Sequence, residues 1–328
     1  LYAPLGWLSW GQLAQEWSSA TERVKANDTA ELRVFANTRL AECWEDRGET
    51  VDPAGLALRA ERYPDPLPAA IRVVTAGVDV QVDRLEATWV GWGPAWEAWV
   101  LDHRIIRGDP HAAETWNALD ALRERRWALS DGRILGTTLT CVDAGNDSQV
   151  VIDYCRRRAG VLAIRGVAGT QKPIWDPKIR RLGSAASNRY HSVGVDAAKD
   201  WLAATFRVSL PGPRYLHVPR ALLDAHPDWA EQACSEKRVR VMRQGKPVWG
   251  WRSRPGTRQE ALDCLVYALA AAHAILAGRP GLLDPAKAPP SDAPSEAPKP
   301  RVPPKATRPV ARQSKAPSWL SGRGRSGL

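Results

Sequence analysis

The chain has 328 residues, enough for one large domain or two smaller ones with a substantial core. Its five cysteines are widely spaced and form no CxxC pair, which argues against a disulfide framework or a structural zinc site and for buried thiols in a reducing cytosol. The formal net charge of +10 points to a polyanionic partner, but residues 281–328 carry nine Lys/Arg against three Asp/Glu and so hold +6 of it. No apolar run reaches membrane-spanning length and no signal-peptide pattern occurs. A first residue of Leu rather than Met suggests a fragment or processed product.

Residues 1–66 read as helices and connectors. Ser9 and Gln12 have capping-box spacing ahead of the periodic "LAQEWSSATERV", and "ELRVFANTRLAECWED" predicts a second helix. The breaker "YPDPLP" at 63–68 marks a boundary, and a domain over 67–279 follows. Strands are predicted at 71–79, 85–92 and 97–106, joined by short turns as an antiparallel meander; Trp89, Trp92, Trp96 and Trp99 fit its faces and core. "DPHAAETWNALDALRERRW" reads as a helix, "ILGTTLTCVDAG" as a strand, "NDSQVVIDYCRRRAG" as a helix and "VLAIRGV" as a strand. A helix around 196–206 and strand-like "RYLHVP" and "RVRVM" come next. Thr257 and Glu260 are spaced as a capping box before the apolar "ALDCLVYALAAAHAIL". Residues 280–328, with ten prolines from 281 onward among Ala, Ser, Lys and Arg, predict a disordered basic tail. Basic clusters at 123–126, 156–158 and 178–181, with Arg252, Arg254 and Arg258, are candidate nucleic-acid contacts or ordinary solvated faces.

Three acids stand out by the elements that carry them. Asp79 and Asp143 each end an apolar strand, and Asp263 lies in the first turns of the last helix. Carboxyl ends of strands are where α/β sheets bind ligands, and a helix packed there could bring in the third acid. Clustered carboxylates repel one another and persist when a cation neutralises them; all-oxygen donors suit Mg²⁺ or Mn²⁺. Two such ions would clamp the attacking and leaving oxygens of a phosphodiester. The same residues also admit a bland reading, in which Asp143 shapes a turn and Asp263 is an early-helix charge beside the positive dipole end. Asp83 in the first turn, Asp147 as a helix cap, and Asp196 and Asp200 flanking Lys199 are second-tier candidates, the lysine as a phosphate contact. His217 in "YLHVP" reads as packing or a phosphate contact rather than a metal ligand.

Taken in order, "AGVDVQVDRLEATWVGWG", "CVDAG", "VDAAKDWL", "YLHVP" and "QEALDCLVYALAAA" resemble the large terminase subunit of tailed bacteriophages, the lambda-like GpA type, over residues 1–277. The resemblance implies an α/β fold: an RNase H-like mixed sheet with antiparallel first three strands and flanking helices. It also implies a metal-dependent endonuclease that cuts concatemeric phage DNA, with Asp79, Asp143 and Asp263 as metal-binding catalytic acids and two Mg²⁺ or Mn²⁺ ions. Residues 1–66 resemble the connector between packaging ATPase and nuclease. Double-stranded DNA, a small terminase subunit that chooses the site, and the portal are the implied partners, with no membrane, in the cytoplasm of the infected bacterial host. Family members often carry Asn where this chain has Gln259, which leaves the acid intact. No GxxxxGK[ST] loop is present, so ATP hydrolysis is not expected. A non-catalytic DNA-binding or docking module, and another RNase H-like enzyme such as a resolvase or transposase, remain alternatives.

Overall fold

Strands buried along nearly their whole length build the middle of the molecule, and helices cover both faces of the resulting sheet. The computed structural model describes residues 9–25, 30–40, 51–169, 171–243 and 246–287. Helix α1 (Trp10–Lys25) has the expected capping box: the Gln12 amide donates to Ser9 Oγ at 3.2 Å, and the Ser9 amide to Gln12 Oε1 at 2.9 Å. Helix α2 (Ala30–Phe35) continues as a π-helical turn, Ala36–Leu40; the remainder of that predicted helix, with Cys43, lies outside the described residues. Helix α3 (Pro53–Ala57) starts on Asp52, whose carboxylate accepts from the Ala54 and Gly55 amides, and β1 (Ala60–Glu61) follows.

The meander is β2 (Val73–Val80), β3 (Arg84–Trp92) and β4 (Ala98–Arg107), paired antiparallel with Asp79 opposite Glu86. Helix α4 (Ala113–Arg123) ends sooner than its sequence pattern suggests. Buried Trp127 draws the chain into β5 (Arg126–Ala128), which pairs with β6 (Ile134–Asp143). Next come α5 (Ser148–Cys155), β7 (Val161–Val167), β8 (Arg180–Arg181), β9 (Arg189–Gly194), α6 (Val195–Arg207) and β10 (Leu216–Pro219). Two short helices, α7 (Arg220–Ala225) and α8 (Trp229–Ala233), lead to the hairpin β11 (Glu236–Arg243) and β12 (Lys246–Ser253), and then to α9 (Glu260–Gly278).

The main sheet runs β1-β10-β4-β3-β2-β6-β7-β9-β8, with β5 on the side of β6. Parallel pairing of β2 with β6, β6 with β7 and β7 with β9 makes it mixed. One core lies between the sheet and α6, α8 and α9; the other lies under α4 and α5. Val51 and Leu56, from the segment read as a connector, belong to the first core, and β1 adds to the sheet edge.

Three sequence expectations change here. Helix α9 does not start on Thr257; the chain enters it at Gln259, and Glu260 is drawn to Arg84 and Arg258 instead of closing a box. Residues 281–284, assigned to the tail, pack on the sheet: Leu283 is buried, and Arg72 Nη1 donates to the Leu282 and Asp284 carbonyls at 2.7 and 2.9 Å. The rest of the Pro-rich tail, 288–328, lies outside the described residues. By length and mean hydropathy, 1.7, α9 could cross a membrane, contrary to the sequence expectation; here it is a core helix with buried Leu262, Leu265, Val266 and Leu269.

Candidate active site

Helix α9 lies so close on β2 that a Cβ added to Gly77 would stand 2.0 Å from the Cys264 carbonyl oxygen. Only glycine tolerates that approach, and the adjoining contacts fix the crossing. Thr75 Oγ1 donates to the Ala268 carbonyl at 2.8 Å, and Cys264 Sγ reaches the Glu86 carbonyl at 3.1 Å. Asp263 is therefore carried to the same end of the same strand as Asp79. On the other side of β2, the register pairs Val78 with Val142, so Asp79 and Asp143 are the next residues along two adjacent parallel strands. Side chains one step beyond a paired position point to a common face, with strands about 4.8 Å apart. The sheet and one helix thus bring the three predicted acids to one corner, at the carboxyl ends of β2 and β6.

The electrostatics bear the mark of that crowding. Burial pushes the Asp79 carboxyl up to about 7; the Gln81 amide, donating to Oδ2 at 2.5 Å, opposes this, and the charges of Asp143, Glu260 and Glu86 add to it. Burial likewise raises Asp143 to about 6, against the Gly145 amide and the Tyr267 hydroxyl, with Asp263 pushing the same way as burial. Asp263 rises to about 7 by burial, partly offset by Lys199 and reinforced by Asp79, Glu236 and Glu260. Each acid thus raises the proton affinity of another member of the trio.

Among the described residues, no three carboxylate, imidazole or thiol side chains are set closely enough to enclose a metal ion as they stand. What fits a hard divalent cation is the donor set: three carboxylates, Asp79 buried and Asp143 and Asp263 half-buried, brought together by backbone, whose negative charge is under-compensated. Lys199 Nζ stands 3.7 Å from Asp263 Oδ1 and donates to Glu236 Oε1 at 2.7 Å, so this lysine is neutralised inside the fold and is not a free phosphate contact.

The remaining second-tier acids serve elsewhere. Asp83 sits in the β2–β3 turn and pairs with Arg84 at 2.7 Å. Asp147 stands at the start of α5 but makes no cap hydrogen bond; it pairs with His111 at 2.8 Å. Buried Asp196 accepts from the Gly169 amide at 2.8 Å and holds the loop after β7. Asp200 accepts from the Trp251 indole at 3.0 Å and pairs with Arg238. His217 contacts Glu61 at 2.5 Å and Glu97 at 3.0 Å, a setting that would repel phosphate.

Sequence reasoning passed over a second layer beside the acids. Glu86 is fully buried opposite Asp79, and Arg84 bonds it at 2.7 Å and Glu260 at 2.6 Å. Arg258 pairs with the same two carboxylates, and His103 Nε2 lies 3.6 Å from Glu86 Oε2. A glutamate in the otherwise apolar alternation of "RLEATWVGW" was the available signal.

Against protein-family models, residues 1–279 match the one described as terminase large subunit gpA, endonuclease domain. The chain belongs to this family. This terminase endonuclease domain is 30% identical to the large terminase subunit of Escherichia phage lambda and 31% identical to that of Enterobacteria phage P21, over 284 residues in each case. Each alignment covers 82% of the chain and 42% of the relative, so the chain spans about two fifths of those proteins' length. Among solved structures it is similar to the large terminase nuclease domain of bacteriophage SPP1 with bound Mn: TM-score 0.36, 9% identity, covering 64% of this chain and 93% of that one. A mutant nuclease domain of the large terminase subunit of bacterial virus Sf6, with manganese, gives a TM-score of 0.35 and 11% identity, covering 67% of this chain and 94% of that one.

Proposed function

We propose that this endonuclease domain is a metal-dependent DNA nuclease of the RNase H-like type, cutting concatemeric phage DNA into genome units during packaging, with Asp79, Asp143 and Asp263 as the metal-binding catalytic acids. The observation that carries the reading is the meeting of three largely desolvated acids, Asp79 buried and Asp143 and Asp263 half-buried, with raised proton affinities at the carboxyl ends of β2 and β6. The sheet order β4-β3-β2-β6-β7, with the first three strands antiparallel and the last two parallel to β2, supports the RNase H-like assignment.

Asp79, Asp143 and Asp263 would hold Mg²⁺ or Mn²⁺, two ions in all, which when bound supply Lewis acidity and an activated water for phosphodiester hydrolysis. The chain's own groups orient and tune these ligands. Gln81 fixes one oxygen of Asp79, and the Gly145 amide with the Tyr267 hydroxyl turns Asp143. Lys199 steadies Asp263, itself held by Glu236. Such partners set ligand orientation and basicity. A small terminase subunit and the portal as partners of the larger protein, and the cytoplasm of the infected bacterial host as its location, follow from the same reading.

The test is nicking of supercoiled plasmid by the purified domain. Cleavage should require Mg²⁺ or Mn²⁺ and stop in EDTA, and Asp79→Asn, Asp143→Asn and Asp263→Asn should each lower it at least about 100-fold without unfolding the protein. Metal-independent cleavage, or full activity in Asp79→Asn, would overturn the assignment; DNA binding with no cleavage under any metal would favour the non-catalytic module.

A further inference from the structure

In the basic clusters at 123–126, 156–158 and 178–181, five of the nine cations pair with carboxylates of the fold. Arg123 and Arg158 pair with Asp120, Arg125 with Asp102, Arg156 with Asp153 and Arg180 with Asp176. The β11–β12 hairpin differs. Residues 236–254 carry seven Lys/Arg against one carboxylate, Glu236, and that carboxylate is already bound by Lys199. On one face of the hairpin, the register sets Arg238 opposite Trp251 and Arg240 opposite Trp249. Trp249 is 42% exposed, and both guanidiniums stack on its ring, at 5.6 Å for Arg238 and 5.3 Å for Arg240. Arg238 is tied to Asp200 on α6, whereas exposed Arg240 has no carboxylate partner among the described residues.

An exposed tryptophan holding an unneutralised guanidinium contributes little to folding, because cation–π contacts at exposed sites are weak. It does restrict the guanidinium, which lowers the ordering cost of a later contact with an anion. The hairpin also begins beside the acids: Glu236, its first residue, touches the lysine that faces Asp263. A corner of three carboxylates repels a phosphate backbone, so a substrate held there needs positive charge close by. Arginine suits that role, since its planar fork matches phosphate oxygens.

We propose that the exposed face of the β11–β12 hairpin, with Arg240 and Arg238 stacked on Trp249, grips the phosphate backbone of duplex DNA next to the carboxylate corner. The proposal rests on the nuclease reading for its substrate and adds the surface that holds it. Arg240 makes the direct phosphate contact; Trp249 positions it; the Asp200 pairing of Arg238 fixes the hairpin base on α6.

The experiment is fluorescence anisotropy of a labelled 20-base-pair duplex in EDTA, so binding is read without cleavage. At about 0.1 M salt, Arg240→Ala should bind about 5–10-fold more weakly and lower the slope of log K against log salt by about 0.9, the value for one lost phosphate contact. Trp249→Ala should weaken binding severalfold with a smaller change in slope, and Trp249→Phe should recover part of the loss. Arg156→Ala removes the same charge from a paired site at the C-terminal cap of α5 and should change affinity less than about twofold. Wild-type affinity and slope in Arg240→Ala would overturn the proposal, and so would an equal loss in Arg156→Ala, which would reveal only an effect of net charge. Should Trp249→Ala unfold, Arg240→Ala still decides, because its side chain is exposed and bears no buried contact. A wild-type domain that binds in EDTA yet never cuts with metal would count against the nuclease reading and leave the hairpin result standing.

Discussion

Gly77 and Asp79 lie two residues apart on β2, and one crossing accounts for both. Helix α9 passes with the Cys264 carbonyl in the space a Gly77 side chain would need, which sets Asp263 over the strand that ends in Asp79. A methyl placed 2.0 Å from a backbone oxygen cannot be relieved by a rotamer change; the helix has to move. Gly77→Ala should therefore cost about 3 kcal/mol or more of stability, at the upper end for overpacking. In the fraction that folds, it should also weaken Mn²⁺ binding, because Asp263 shifts away from Asp79. Thermal melting and a metal titration by calorimetry measure the two effects; an unchanged melting point would show that α9 can glide over β2 freely.

At the scale of elements, the fastening between β3 and the start of α9 matters most. Arg84 and Arg258 each pair with both Glu86 and Glu260, so four charges join a central strand to the helix that bears Asp263. Removing one partner from a buried ion network leaves uncompensated charge and typically costs about 3–5 kcal/mol. Glu86→Gln should fall in that range by chemical denaturation, whereas Arg258→Ala, at a partly exposed member, should cost about 1 kcal/mol. Equal effects from the two would mean that the network is not centred on Glu86. The strands of this region were readable as apolar runs between short turns, Asp79 and Asp143 stood out as acids ending such strands, and Asp263 as an acid in the first turns of an apolar helix. Glu86 left a trace as an acid inside an apolar strand, but its tie to α9 runs through Arg258, 172 residues away, and Glu236 was not readable as a site neighbour because Lys199 lies 37 residues away. Glu260 shows the limit of local rules: its spacing from Thr257 fits a capping box, but two arginines from the tertiary structure take the carboxylate. The basic clusters mislead for a different reason: the acids that pair Arg123, Arg156 and Arg180 lie three or four residues upstream, just outside the runs of like charge that draw attention.

For the whole molecule, the carboxylate corner and the His217 contact near the β1 edge of the sheet impose the same pH dependence on stability. Asp79 and Asp263 are raised from 3.8 to about 7, so between those values the native state holds protons that the unfolded chain has lost, and stability falls as pH rises. His217 is raised above its ordinary 6.5 by Glu61 and Glu97 despite its burial; its contribution is complete below 6.5 and is lost as pH climbs through the folded value. His273, lowered to about 4 by burial, acts in the opposite sense only below about 6.5, where the unfolded chain takes up a proton first. Metal-free protein should therefore lose about 1–2 kcal/mol between pH 6.5 and 8 from the two aspartates together, seen as a falling melting temperature. Adding Mg²⁺ or Mn²⁺ should reverse the trend, since the cation binds the ionised carboxylates and stabilises most at the higher pH. In Asp79→Asn the metal-free melting temperature at pH 8 should rise above wild type, the excess should shrink toward pH 5, and the metal-induced increase should largely vanish. If the metal-free wild type instead became more stable from pH 6.5 to 8, the corner would not be the charge-crowded site that its geometry indicates.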